Sequence, residues 1–282
     1  MKRMHTYALL LATTALLFLT ACEKDTYDSS QASADEVPAE VIDALYGMGF
    51  NPDGIRKVEG GYLIERDILI TEEFLDNPGT EHRVPGAEQY HTNNLVATGG
   101  QRTIRVYIKT DGFLRRFAPV YGEALDLALT DYNAENLELT FQRVSNPNQA
   151  EIVIERINFL QELIGVLGSA GFPTANGDPF NSIVLNGRMH TTYGFDREGI
   201  ATVIAHEMGH CIGFRHTDYF DRSISCGGDP TDEGDGGVGA NQVPGTPSGA
   251  DLEGNGSWML SCSDGSARPF TSADKTALDF LY

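Results

Sequence analysis

Residues His206-Glu207-Met208-Gly209-His210-Cys211-Ile212-Gly213-Phe214-Arg215-His216 put three imidazoles, a carboxylate and a glycine at spacings that dictate a backbone shape. Side chains four apart share one face of a helix, so His206 and His210 can turn toward a single metal ion while Glu207 borders the same pocket. A catalytic zinc takes a third protein ligand and keeps one position open for water. A helix running straight on would carry His216 away from that ion. Gly213 removes the difficulty: lacking Cβ, it tolerates positive φ, so the helix can stop there and the chain can bring His216 back beneath the metal. By chance, HExxH alone turns up in roughly one chain in a hundred of this composition, and Gly213 and His216 at fixed offsets lower that to the order of one in ten thousand.

The amino terminus carries a different message. Lys2 and Arg3 precede an apolar run from Tyr7 to Leu19, which ends in Leu19-Thr20-Ala21-Cys22. A basic head and an apolar core too short for a permanent span make a signal peptide, and the small residues before Cys22 resemble a bacterial lipobox. Residues 1–21 are therefore expected to be removed, Cys22 to carry lipid and residues 22–35 to form a flexible tether; an ordinary secretory signal with an idle Cys22 thiol is the alternative. Either way the chain is expected in the cell envelope, on the periplasmic or the extracellular face, with a lipid membrane as partner through Cys22. The whole chain has 20 Lys and Arg against 40 Asp and Glu, net −20. Losing Lys2 and Arg3 leaves 18 basic against 40 acidic residues, or −22. Nucleic acid is excluded as a partner by that charge, and the protein is expected to act as a monomer.

With Cys22 assigned to lipid and Cys211 inside the metal motif, Cys226 and Cys262 remain on either side of a Gly, Pro and Asp-rich loop. Their pairing would contribute about 3 to 4 kcal/mol in an exported protein; pairs with Cys211, or free buried thiols, are the alternatives. Cys211 follows a ligand histidine by one position and so points elsewhere, as a small core residue. In the same loop Asp229, Asp232, Glu233 and Asp235 could hold Ca2+, but their order matches no calcium-loop pattern and a solvated acidic loop is the preferred reading.

The chain divides near residue 100. Val41, Leu45 and Met48 have helical spacing within residues 37–50, residues 61–74 read as a strand pair or a strand and short helix, and residues 76–101 as a turn-rich linker. Beyond it, Arg102 to Ile108 alternates as a strand. Phe117, Val120, Ala124, Leu125, Ala128, Leu129 and Tyr132 form one helical face, and residues 137–143, 151–156 and 182–186 read as further strands. The metal helix is expected to start near Asp196 to Gly199.

The eleven-residue motif resembles that of the metzincin zinc endopeptidases. His206 to Asp218, Pro244-Gly245-Thr246-Pro247 and Arg268-Pro269-Phe270 are similar to the dual-action HEIGH metallopeptidases, a bacterial, matrixin-like family, over residues 101–282. Met208 stands where that family's name expects isoleucine. Ser261 stands where some metzincins have a metal-binding tyrosine, which argues against a tyrosine switch. The resemblance implies an α+β metzincin-like catalytic domain over residues 101–282: a mixed twisted sheet, a zinc-binding helix, a Met-turn at Met259 and a C-terminal helix capped by Thr271 or Ser272. A small N-terminal region, residues 36–100, would precede it. The strand at 182–186 would form the sheet edge, where a protein or peptide substrate adds as an antiparallel strand. His206, His210 and His216 would hold one zinc ion, Glu207 would act as general base, and a catalytically silent surface adhesin on the same fold is the rival reading.

Related enzymes carry an inhibitory prosegment where residues 36–100 lie, many with a zinc-blocking cysteine. No cysteine stands between Cys22 and Cys211. A carboxylate such as Asp67, in Glu65-Arg66-Asp67-Ile68, could fill the open zinc position instead. Otherwise Asp67 ends a surface strand and the region is a stem.

Overall fold

The five-stranded sheet against which the metal helix packs is mostly parallel, and parallel neighbours cannot be joined by a tight hairpin, so its order depends on the crossovers between strands. The computed structural model describes residues 37–48, 50–76, 89–110, 116–163, 165–234, 236–247 and 249–282. The signal peptide, Cys22, the tether, Asp235 and residues 77–88 of the expected 76–101 linker lie outside the described residues. Residues 34–282 cluster as one compact unit.

The N-terminal part contains α1 (Ala39–Met48), β1 (Arg56–Val58), β2 (Gly61–Ile64), β3 (Ile68–Ile70) and α2 (Glu72–Asp76). Val41, Leu45 and Met48 face inward from α1 as their spacing requires. The three strands form an antiparallel sheet, with Ile64 opposite Ile68 across the β2–β3 turn. Their core also takes in Val238 and Phe172 from far along the chain. β4 (Tyr90–His91) follows and pairs with β10 (Asn241–Gln242). Tyr90 is fully buried, so this end of the expected linker is anchored by a β-bridge rather than left as a free turn.

The larger layer runs β5 (Arg102–Ile108), α3 (Pro119–Ala134), β6 (Leu139–Arg143), β7 (Ile152–Arg156), α4 (Phe159–Leu163), β8 (Gly168–Ser169), β9 (Ser182–Leu185) and α5 (Arg197–Ile212). Its strand order is β6-β5-β7-β9-β8, parallel except for β8. β9 was expected at the edge. It is instead covered by β8, a two-residue strand with no readable alternation, and the edge of the sheet is therefore Gly168–Ser169.

α3 begins at Pro119, whose missing N–H costs nothing in the first turn. Its buried face, Tyr121, Leu125, Ala128, Leu129 and Tyr132, packs in one core with Ile104 and Val106 of β5 and Ile200, Ile204 and Met208 of α5. The chain ends with α6 (Ser223–Cys226), β10 and α7 (Ser272–Leu281). Thr271 and Asp274 form a reciprocal capping box on α7, and Leu278 is buried beneath it. Cys226 and Cys262 are joined as a disulfide, and Cys211 is free and buried. Among the described residues no helix is long and apolar enough to cross a membrane.

Candidate active site

α5 is set by its two ends. The Asp196 carboxylate accepts the Gly199 N–H at 2.8 Å at the start. At the other end Gly213 takes φ 110° and its N–H returns to Gly209 and His210 carbonyls. A Cβ on Gly213 would also meet Leu95 Cδ2 at 2.8 Å and Asn94 O at 3.0 Å, so backbone and packing both call for glycine. The reversal delivers His216 to the other two histidines: His206 Nε2 lies 3.1 Å from His210 Nε2 and 3.3 Å from His216 Nε2.

Each ring is oriented from behind. Nδ1 of His206 faces the Trp258 carbonyl at 2.7 Å, Nδ1 of His210 the Phe214 carbonyl at 2.9 Å, and Nδ1 of His216 the Glu233 carboxylate at 2.8 Å. An acceptor behind each ring makes Nδ1 the protonated nitrogen and leaves three Nε2 lone pairs converging on one point. Neutral imidazoles repel in that arrangement unless a cation sits between them. Three Zn–N bonds of about 2.0–2.1 Å in tetrahedral geometry put their nitrogens about 3.3 Å apart, matching the separations observed. The donor set therefore fits zinc.

Electrostatics point the same way. Burial, with His206 and His216 beside it, holds His210 well below the usual imidazole range. Burial would also lower His216, but the Asp67 and Glu233 carboxylates overcome it and raise His216 well above that range. The cluster demands positive charge, which either a proton or a metal ion can supply at the same lone pair. Glu207 is buried, and burial followed by the nearby Asp67 charge raises it well above the carboxylate range. It stands against the sheet edge: a Cβ on Gly168 would lie 2.2 Å from Glu207 Oε1, so the edge strand needs glycine there.

Met259 is fully buried and lies under α5, where a Cβ on Gly209 would meet its sulfur at 2.5 Å. The turn holding it is closed by Leu260 N–H to Ser257 O at 3.3 Å and by Met259 N–H to Ser257 Oγ at 3.0 Å. Ser257 Oγ in turn donates to Asp274 of α7 at 2.6 Å. Ser261 donates to Asp218 at 2.8 Å and to Glu233 at 3.1 Å.

Sequence reasoning missed Glu233. Composition put it in a solvated acidic loop, yet it is fully buried, 3.0 Å from Arg222 Nε and 3.7 Å from buried Arg215 as well as bonded to His216. The only sequence signal was a glutamate in a loop otherwise acidic through aspartates, beside two arginines that need a counter-charge.

The β2–β3 turn enters the site. Asp67 Oδ2 is 3.1 Å from His216 Nε2 and 3.6 Å from His206 Nε2. Asp67, His206, His210 and His216 each offer one ligand atom within 4.8 Å of the others. Burial would raise Asp67, but His216 and then His206 outweigh it and keep the carboxyl well below its usual range. Glu65 and Arg66 hold left-handed φ of 54° and 79°, a conformation costing a side-chain-bearing residue about 1 kcal/mol or more. Contacts on both sides sustain it. Glu65 lies 3.8 Å from Arg215, and burial followed by the Glu233 charge raises it well above the usual range. Leu69 N–H donates to Ala170 O at 2.8 Å and Ala170 N–H to Asp67 O at 3.0 Å, which ties the hairpin alongside the sheet edge in parallel direction.

A model of the dual-action HEIGH metallo-peptidase family matches residues 62–282. Among solved structures, the crystal structure of myroilysin is similar at 13% identity and a TM-score of 0.27, covering 50% of this chain. The match spans 60% of the length of that structure's chain. Comparison with curated proteins found no match.

Proposed function

Since the chain belongs to the dual-action HEIGH metallo-peptidase family, we propose that it is a zinc-dependent endopeptidase in which His206, His210 and His216 hold the metal and Glu207 is the general base. The observation that carries this reading is the convergence of three Nε2 atoms, each ring backed by an acceptor at Nδ1. Zinc in that cage supplies a Lewis acid for the peptide carbonyl and brings the pKa of water down to about 7. Glu207 takes the proton of the attacking water and passes it to the leaving amine. Met259 touches no reacting atom and acts as a floor for the three rings.

The test is Glu207→Ala. This variant should keep fold and zinc and lose casein hydrolysis by several orders of magnitude, while His206→Ala, His210→Ala and His216→Ala lose the metal as well. Chelator should abolish wild-type hydrolysis and zinc restore it. A chain that never cleaves protein under these conditions would be an adhesin on a peptidase fold. Near wild-type hydrolysis by Glu207→Ala would overturn the mechanism.

The form described here is latent in this reading. Asp67 supports it, since its oxygen stands where a fourth ligand would and its hairpin lies along the sheet edge. Residues 36–100 then act as an inhibitory segment rather than a stem. Export and anchoring rest on Leu19-Thr20-Ala21-Cys22; Cys22→Ser should release a soluble form, and its retention in the membrane fraction would refute lipidation.

A further inference from the structure

Beside Glu207 a cavity of about 160 Å³ opens between α5 and the chain after the Met-turn, with Val203, Leu260 and Arg268 in its wall. Arg268 is the unusual member. Its side chain is only 7% exposed, and its backbone N–H is fixed to Thr202 Oγ1 at 2.9 Å. Nε is buried without a hydrogen-bond partner. The carboxylate facing it, Asp264, stands 3.8 Å away on a side chain that is itself 71% exposed, beyond hydrogen-bond distance. A guanidinium stays charged at any physiological pH, and one withdrawn from water with Nε unfilled is costly until a carboxylate meets it.

Resting on the peptidase reading, we propose that this cavity receives an acidic side chain, Asp or Glu, of the substrate residue next to the bond being cut, and that Arg268 is the specificity-determining residue. Glu207 and His206 line the same cavity, so its occupant adjoins the scissile peptide. Its volume of about 160 Å³ has room for a short carboxylate side chain. The fork of a guanidinium matches both carboxylate oxygens, which favours an acid over the corresponding amide. Val203 and Leu260 would line the methylene part of such a side chain, and Arg66 and Asp67, which also line the cavity, belong to the hairpin that substrate has to displace.

The experiment is cleavage-site mapping by mass spectrometry on an unbiased peptide library, with the zinc-loaded full chain and with full-length Asp67→Ala. Preference is a ratio of rates, so partial blocking by the hairpin does not change it. Asp and Glu should be enriched at one position flanking the cut. Paired peptides should show kcat/KM about ten-fold or more above their Asn and Gln counterparts. Arg268→Gln should reduce that ratio to near one, and Arg268→Glu should shift the preference to Lys and Arg; Arg268→Lys keeps the cation should the others fail to fold. Cleavage without acidic enrichment in the wild-type chain would overturn the assignment and leave the peptidase reading standing. No cleavage by either chain would overturn both.

Discussion

Replacing Glu233 with Gln changes one atom and removes one charge from a buried polar cluster behind His216. Glu233 accepts from His216 Nδ1 at 2.8 Å and faces Arg222 at 3.0 Å and Arg215 at 3.7 Å, with no exposure to solvent. An amide oxygen can still accept from His216, but the ring loses the charge that makes it a strong ligand. Losing such a backing partner weakens metal affinity by about 10 to 100-fold, or about 1.4 to 2.7 kcal/mol. Two buried guanidiniums lose their counter-charge as well, a loss worth about 3 to 5 kcal/mol for a broken buried pair. Glu65, 3.8 Å from Arg215, can then ionise and recover part of it, so the folding cost should fall near about 3 kcal/mol. Zinc affinity is read by competition with a fluorescent chelator, and stability by urea unfolding of the zinc-free chain. Affinity within two-fold of wild type, whatever the folding cost, would refute the argument that Glu233 sets the ligand strength of His216.

Two further outcomes follow from other contacts. Full-length Asp67→Ala should hydrolyse peptides about ten-fold faster or more than wild type, since a tethered ligand competes at millimolar effective concentration; the cobalt-substituted protein should also change its visible absorption spectrum, and identical spectra and rates would leave residues 36–100 a stem. Asp274 is fully buried and burial raises it to about 6, so its neutral form is favoured in the fold. Stability from this group is complete below about pH 4 and is lost as pH rises through about 6, by up to about 3 kcal/mol. Unfolding of wild type and Asp274→Asn across that range should diverge accordingly, and parallel curves would show that Asp274 titrates normally.

Much of the catalytic helix could be read from residues alone because its determinants are local: a side-chain cap at Asp196, a four-residue repeat and a glycine that alone tolerates the turn at 213. Asp67 could be named only as one of two alternatives, since nothing within the hairpin says that its tip reaches His216, 149 positions away. β8 was missed because two residues, Gly168 and Ser169, are too few to alternate. The Gly, Pro and Asp-rich loop between Cys226 and Cys262 was misread as solvated for a related reason. Its glycines and aspartates look solvated, but Val238, Ala240 and Val243 are buried apolar positions whose partners lie far along the chain.

Tyr282 closes the helix that holds the ligands: its hydroxyl donates to the Ile212 carbonyl and receives the Val96 N–H at 3.2 Å. Asp274, eight residues earlier, holds the turn beneath the rings through Ser257. The pieces around the metal therefore cannot lock together until α7 has docked. A growing chain that has already emerged past His216 owns all three imidazoles but neither the floor beneath them nor the latch at the end of their helix. Loosening α7 should therefore loosen the three rings, although none of them lies on it.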